Sequence, residues 1–459
     1  MSDKAIFWYL SIYDEVNENS IATIKHFGIK NVIYFINDDI CEITLKKRRY
    51  ISYLIKQRLR FICNKYNLNL FQIPLFKEYN HEDFSEYIEN ASNFFLSLYR
   101  DEKILSTKRV KNQIKKMSEL ALSVNKSAEN FLKDSSYKEI YLFNNRMPTG
   151  YAVSKACKTL KIAFITFDLL ALTRLHFAKN TELLSPKNFN IEITKELKNI
   201  PPERIKEVGK KFIEYKRNSK FVAFKIYTNK QIKNYIPLNL KKKYICFFTS
   251  SEDEAKFYGE NTNFKVINQY LFIKNVMEYL VNEDLQIVVR VHPNQAGMGL
   301  EKDLINLSKN SKEKLILILG NSQFDTYALM EKSITNISFG SSTGVESLLM
   351  GKISYLCGRS FYEDVIKIPK FFDEKTLANS IIFKTFKKVE DDQLLSASKW
   401  STYLSGEFAP KDITFSNIKL KFNYPILVIF LLKIFWIERI LTYPIVFIIR
   451  LIKIKLKNQ

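Results

Sequence analysis

Several signatures by which enzymes show their chemistry are missing from this chain. It has no GxGxxG, no GxxxxGK[ST], no HExxH and no GxSxG, which counts against dinucleotide oxidoreductases, P-loop NTPases, zincins and serine hydrolases. No clear DxD carboxylate pair is present, so an obligatory divalent metal is not indicated. The five cysteines (Cys41, Cys63, Cys157, Cys246, Cys357) are odd in number and never spaced CxxC, which predicts free thiols in a reducing cytoplasm and no structural zinc. Zinc-finger, RNP-like and helix-turn-helix signatures are absent, so the basic charge has no nucleic-acid motif behind it. The opening MSDKAIFWYLSIYDE has no basic start and no small-residue cleavage site, and reads as a first strand rather than a signal peptide. Long apolar runs are lacking too. The C-terminal runs Phe422–Leu432 and Ile440–Ile449 are about ten residues each, whereas a spanning helix needs about twenty.

What is present is globular. The chain has 459 residues, 46% apolar and 14% aromatic, enough for two or three domains with a buried core. Lys and Arg outnumber Asp and Glu by 71 to 48, a net charge of +23, which implies an anionic partner such as a phosphorylated small molecule, nucleic acid or an acidic membrane surface.

The chain alternates strand-like and helix-like runs. Ala5–Tyr9 and Asn31–Ile36 flank a helical pattern, a βαβ opening whose first loop carries Asp14, Glu15 and Glu18. Asp14 could act as a base there, or merely be solvated. Leu45–Tyr66 reads as a basic helix, with Asp83–Tyr99 and Val110–Leu132 as two more. The strand Ile140–Phe143 ends in Asn144-Asn145-Arg146, a helix opens after Pro148, and the strand Ile162–Thr166 ends near Asp168. Arg146 suits an anionic substrate or a surface ion pair, and Asp168 is a candidate base. His176, read as lying near an apolar helix, is a weaker candidate. After a helix over Pro201–Asn218 and a linker reaching Lys241-Lys242-Lys243, the alternation resumes with Ile245–Thr249 and Ser250-Ser251, which could simply cap the next helix. The strand Leu285–Val291 ends in His292-Pro293-Asn294, where Pro293 stops the strand and presents the imidazole.

The most informative stretch is Ile334–Tyr362. It reads as strand, the turn Gly340-Ser341-Ser342-Thr343-Gly344, a helix through Met350, Gly351 as C-cap, and a further strand. Such a turn gathers N–H and O–H groups at a helix start and suits a phosphate, although helix capping alone would also account for it. The tail from Ile418 carries eight basic residues and one acid (Glu438) between its apolar runs. It reads as helices in a membrane interface, Trp436 and Tyr443 at headgroup level, with a docked or tilted spanning helix as alternatives.

Ser250-Ser251-Glu252, the segment Arg290-Val291-His292-Pro293-Asn294, and Ser341-Ser342 followed by Glu346 and Gly351 resemble the bacterial capsule polysaccharide biosynthesis family, which includes the Kdo transferases of capsule assembly. Their order is also similar to GT-B sialyltransferases, whose His-Pro and Ser-Ser elements hold CMP. The resemblance covers mainly residues 244–362, and at Asn144-Asn145-Arg146 the family more often shows Asn-Gly-Arg. It implies an α/β, GT-B-like fold of two Rossmann-like doubly wound domains. These are an acceptor domain over 1–235 and a nucleotide-sugar domain over 236–390, with return helices and a membrane-associated amphipathic tail over 391–459.

It also implies a metal-independent glycosyltransferase with no cofactor. The donor is a nucleotide sugar, CMP-linked and Kdo-like or sialic-acid-like being favoured. The acceptor is a membrane-linked polysaccharide or glycolipid at the cytoplasmic face of the inner membrane, with anionic lipids under the tail and no nucleic acid. By motif, His292, Pro293, Asn294 and Ser341–Thr343 would hold the donor phosphate, Glu346 the ribose, with Ser250, Ser251 and Arg146 nearby and Asp14 or Asp168 as base. A CDP-glycerol-type polyol-phosphate transferase and a non-enzymatic basic scaffold on the membrane are the competing expectations.

Overall fold

In the computed structural model, which describes residues 3–8, 14–36, 49–76, 84–99, 105–170, 174–217, 230–240, 243–251, 267–311, 313–385 and 388–414, the first strand divides the N-terminal half into layers. Strand β1 (Lys4–Phe7) sends Ala5 and Phe7 into one apolar cluster and Ile6 into another, which Trp8 also joins. Successive side chains of a strand point to opposite faces, so the apolar run Ala5–Trp8 has to be covered on both. The helices α1 (Asp14–Phe27) and α2 (Arg49–Tyr66) pack on the Ile6 side. On the Phe7 side lie α3 (Phe84–Tyr99), α4 (Lys108–Lys133) and α5 (Pro148–Thr159).

The first sheet adds β2 (Asn31–Ile36), β3 (Asn69–Pro74), β4 (Glu139–Phe143), β5 (Ala163–Leu170) and β6 (Arg174–Lys179) in the order β3-β2-β1-β4-β5-β6. All its pairings are parallel except β5 with β6. His176 lies on β6, opposite Asp168, and its ring packs against Phe189 of the apolar-faced helix over Pro186–Leu197, as its sequence neighbours suggest. Strand β6 alternates polar and apolar residues over Arg174–Phe177, yet Arg174 and His176 are buried along with Leu175, so its burial does not follow that alternation.

The second sheet is parallel throughout: β7 (Tyr244–Phe248), β8 (Gln286–Arg290), β9 (Leu315–Ile318), β10 (Asn336–Ser338) and β11 (Ser354–Leu356), in the order β11-β10-β7-β8-β9. Its helices are α8 (Gln269–Tyr279), α9 (Gly299–Asn310), α10 (Thr326–Lys332), α11 (Thr343–Leu349) and α12 (Glu374–Ile382). Gly351 follows α11 at φ 70°, the left-handed conformation a glycine terminator supplies.

Two helices that precede the second sheet in sequence pack beside it. From α6 (Pro186–Leu197) and α7 (Pro202–Arg217), Phe189, Ile205 and Phe212 share an apolar cluster with Val345 and Leu348 of α11, and with Trp400 and Tyr403 of α13 (Asp391–Ser405). Buried Arg174 ties β6 to the same region. Its guanidinium lies 4.0 Å from the Tyr403 ring and bonds Glu196 Oε1 at 2.6 Å. Among the described residues no helix is long and apolar enough to cross a membrane. The tail beyond 414, Glu252–Glu254 and the basic run Lys46–Arg48 lie outside the described residues. Of the basic positions on α2, Arg58 is buried and Arg60 exposed, so the helix does not present one uniformly basic face.

Candidate functional site

Both sheets share one ordering rule. Strands are added outward on one side of the first strand, then on its other side, which leaves a switch point between β1 and β4 and another between β7 and β10. Open α/β sheets hold ligands at the C-terminal strand ends beside such a point. Arg146 and Asp168 fall at the first of these places, and Ser250, Ser251, His292–Asn294, Ser341–Thr343 and Glu346 at the second.

At the second switch point, the segment leaving β7 joins the ends of two neighbouring strands. The Thr249 hydroxyl accepts a hydrogen bond from His292 N at 2.8 Å, and the Ser250 hydroxyl donates to Phe339 O at 2.5 Å. Gln269 clamps the backbone of Ser250, its Oε1 accepting from Ser250 N (3.0 Å) and its Nε2 donating to Ser250 O (3.1 Å). Ser250 thus braces the β10 turn, while the segment it was expected to cap lies outside the described residues. Ser251 is buried, and its hydroxyl has no partner among the described residues.

His292 sits half-buried at the end of β8. Its Nδ1 accepts from Asn294 N at 3.2 Å, which leaves the proton of the neutral ring on Nε2. Pro293 opens a 3-10 turn, Pro293–Gln295, closed by Gln295 N donating to His292 O. A side chain at Gly320 would bring a Cβ within 2.9 Å of His292 O, so glycine is what lets the β9 loop approach this turn. Glu301 ties the two loops together by accepting from Gly297 N and from Gly320 N (2.8 Å). Arg290, part of the same sequence motif, is engaged inside the fold. It donates to Leu319 O (2.6 Å) and Ser322 O (3.2 Å), and burial lowers its pKa to about 10.

The turn after β10 begins at Gly340, φ 100°, where a Cβ would stand 2.1 Å from Arg359 O. No other residue fits there. Ser341 O accepts from Tyr362 Oη (2.7 Å) and Ser338 Oγ (2.9 Å), which anchors the turn from below. Ser342 makes no side-chain cap to α11 and donates instead to Glu346 Oε1 at 2.7 Å. The buried Glu346 carboxylate also receives Lys216 Nζ, from the last turn of α7, and burial together with the charge of Glu346 raises the pKa of the Tyr327 hydroxyl. The Thr343 hydroxyl is buried without a partner among the described residues. Pro293, Asn294, Ser341, Ser342 and Thr343 are all partly exposed, as a ligand-facing rim requires.

At the first switch point, Asn144 adopts φ 40° just past β4 and organises the turn. Its amide donates to Asp168 Oδ2 (2.6 Å), and its carbonyl oxygen accepts from Arg146 Nε (3.0 Å) and Arg146 N (3.3 Å). Arg146 Nη2 is 4.0 Å from Asp168 Oδ2, and Leu169 N donates to Asp168 Oδ1. Burial pushes the Asp168 carboxyl above the usual carboxylate range, against the opposing charge of Arg146 and these hydrogen bonds. Asn145 Oδ1 is buried without a partner among the described residues. Arg146 and Asp168, predicted separately, thus belong to one network. Asp14 begins α1, and its side chain lies outside the described part.

His176 is structural. It stacks on Phe189 at 4.1 Å and 3°, Nδ1 accepts from Tyr403 Oη (2.8 Å), and Nε2 donates to Leu183 O (3.1 Å). Burial, helped by Arg174, lowers its pKa to about 3. Among the described residues no group of three or more His, Cys, Asp or Glu could hold a metal ion. A separate groove of about 630 Å³, between α6, α13 and the segment 363–370, includes none of the predicted residues.

Thr249, Lys216, Glu301, Tyr327 and Tyr362 were missed by sequence reasoning. Thr249, Lys216, Tyr327 and Tyr362 act across long chain separations, and Glu301 joins a neighbour four residues away to Gly320, so no sequence motif marks them.

No family model matches this chain, and no curated protein does. Among solved structures it is similar to Thermosulfurimonas dismutans KpsC, beta Kdo 2,4 transferase, at 11% identity over 57% of this chain and 79% of that one, TM-score 0.34. It is also similar to Neisseria meningitidis UDP-GlcNAc 2-epimerase bound to UDP-GlcNAc, at 10% identity over 88% and 98%, TM-score 0.31. Anabaena HepE in complex with UDP and glucose is a third, at 11% identity over 88% and 95%, TM-score 0.27. With TM-scores this low, the functional reading has to stand on this chain's own geometry.

Proposed function

We propose that this protein is a GT-B-type, metal-independent glycosyltransferase that moves a sugar from a nucleotide-activated donor to a membrane-linked polysaccharide or glycolipid. The observation that carries the reading is the pair of bonds by which Thr249 holds His292 and Ser250 holds Phe339. They gather the ends of β7, β8 and β10 at one switch point, with an imidazole and the partly exposed turn Ser341–Thr343 on its rim. In glycosyl transfer, negative charge builds on the departing nucleotide. Hydrogen-bond donors placed there favour the transition state over the ground state.

The acceptor side is read at the first switch point. Asp168, with a carboxyl raised towards neutral pH, is the group suited to take the acceptor proton, and Arg146 to hold an anionic substituent. A CMP-linked, Kdo-like or sialic-acid-like donor and attachment to the cytoplasmic face of the inner membrane through the tail are parts of the same proposal. They rest on the sequence resemblance.

The test is a thermal-shift screen of the purified chain against CMP, CDP, UDP, GDP and ADP, repeated on His292→Ala. A ligand that binds the native state raises its melting temperature by mass action. Stabilisation by CMP that His292→Ala abolishes is the expected result. A CDP preference would favour the polyol-phosphate transferase, and UDP or GDP an ordinary hexose donor. No shift with any nucleotide would overturn the donor-site reading and leave the membrane scaffold.

A further inference from the structure

We propose that Lys216 is a donor-phosphate ligand, and that the carboxylate of Glu346 takes the place of the phosphate when no donor is bound. The inference rests on the nucleotide-donor reading above and adds to it the cation that would meet the phosphate. Lys216 comes from α7, outside the second sheet, and is buried. Its ammonium bonds Glu346 Oε1 and lies 3.3 Å from Ser342 Oγ. A lysine head buried so fully needs an anion beside it at all times, because a lone buried charge carries a large desolvation penalty. Here that anion is Glu346, one turn along α11 from the serine, and Ser342 donates to the same oxygen.

Two features make this pair more than a structural tie. First, α11 has only seven residues, so its own dipole supplies little positive charge at the turn. A departing nucleotide then needs a side-chain cation, and Lys216 is the one set against Ser342. Second, Glu346 does not depend on Lys216 alone, since the Ser342 hydroxyl also donates to it at 2.7 Å. A phosphate arriving at Ser342 can therefore draw the ammonium to itself, one anion replacing another. Glu346 keeps its Ser342 hydroxyl donor and regains acceptor capacity for ribose hydroxyls. The exchange makes the buried position of Glu346 compatible with a role towards the ribose.

The experiment compares a nucleotide with its nucleoside, starting with CMP and cytidine, by isothermal titration of the full chain. The ratio of the two affinities isolates the phosphate contribution. In Lys216→Met, CMP affinity should fall at least tenfold with cytidine affinity unchanged, and Lys216→Arg should restore part of the ratio. Glu346→Gln should move the ratio the other way, because the competing carboxylate is gone, while weakening cytidine itself. A pair that only holds α7 to α11 would lower both affinities together in both variants, and that result overturns the proposal. If Lys216→Met does not fold, the double variant Lys216→Met/Glu346→Gln removes both charges and must show the same lost ratio. If wild-type protein binds CMP while every variant keeps the wild-type ratio, the lysine assignment fails and the donor site stands. If wild type binds no nucleotide, both fail.

Discussion

The hydroxyl of Thr249 accepts a hydrogen bond of 2.8 Å from the backbone N–H of His292, 43 residues further along the chain. Thr249 is buried, so the bond forms away from competing water. Thr249→Val keeps the shape and leaves that N–H without its acceptor, which should cost about 1–3 kcal/mol. The imidazole should also lose its aim. Urea denaturation and nucleotide titration check this, with Thr249→Ser expected near wild type. A valine variant with unchanged midpoint and affinity would show that the bond does not position His292.

Gly340 is required by both conformation and space, with φ 100° and Arg359 O only 2.1 Å from where a Cβ would be. Gly340→Ala should lower stability by at least ~1 kcal/mol, and should weaken nucleotide binding because the turn carrying Ser341–Thr343 must move. Replacing Gly351, also at positive φ but with open space around its Cβ position, should cost stability alone. Equal losses of nucleotide affinity at both glycines would refute a local role for the first turn.

Asp168 should govern the alkaline-rising limb of activity. Its carboxyl is held above the ordinary 3.8 chiefly by burial, so between 3.8 and its native value the folded state binds the extra proton. Stability therefore falls as pH rises through that window, and the base becomes competent over the same range. In Asp168→Asn the rising limb of the kcat/KM profile should vanish, with turnover reduced about 10²–10⁴-fold and nucleotide affinity retained. A variant that keeps the limb removes Asp168 as the base.

His176 should make the fold acid-sensitive. Its native pKa of about 3 lies below the ordinary 6.5, so the unfolded chain takes up the proton first. The stabilisation is complete above pH 6.5 and is lost as pH falls from there towards 3. His176→Gln should be less stable at neutral pH, because the bonds to Tyr403 and Leu183 are disturbed, and should lose part of this acid-limb slope. Denaturant midpoints measured from pH 7 to 4 decide it. An unchanged slope would place the acid sensitivity elsewhere.

Much of this architecture is legible in local pattern. The runs Ile140–Phe143 and Ile287–Val289 are apolar at every position and lie in inner parallel strands, because both faces of such a sheet are covered. Pro148 opening α5 and Gly351 closing α11 follow from backbone chemistry alone. The turn Gly340–Gly344 could be read as a strand-to-helix junction from its small residues. Whether its serines cap the helix or face elsewhere could not, since Ser342 turns to Glu346 for reasons that lie in α7.

What the sequence determined by itself was therefore the alternation of elements and the strand ends where chemistry collects, both set by interactions within a few residues. Tertiary structure alone decided the partners. It brought Asn144 to Asp168 across adjacent strands, set Thr249 under His292, stacked His176 on Phe189, and drove Lys216 into the buried network of Ser342 and Glu346. The physical reason is that strand order is a global choice. It sets which chain-distant polar groups share a dry environment, and in that environment each has to find a partner.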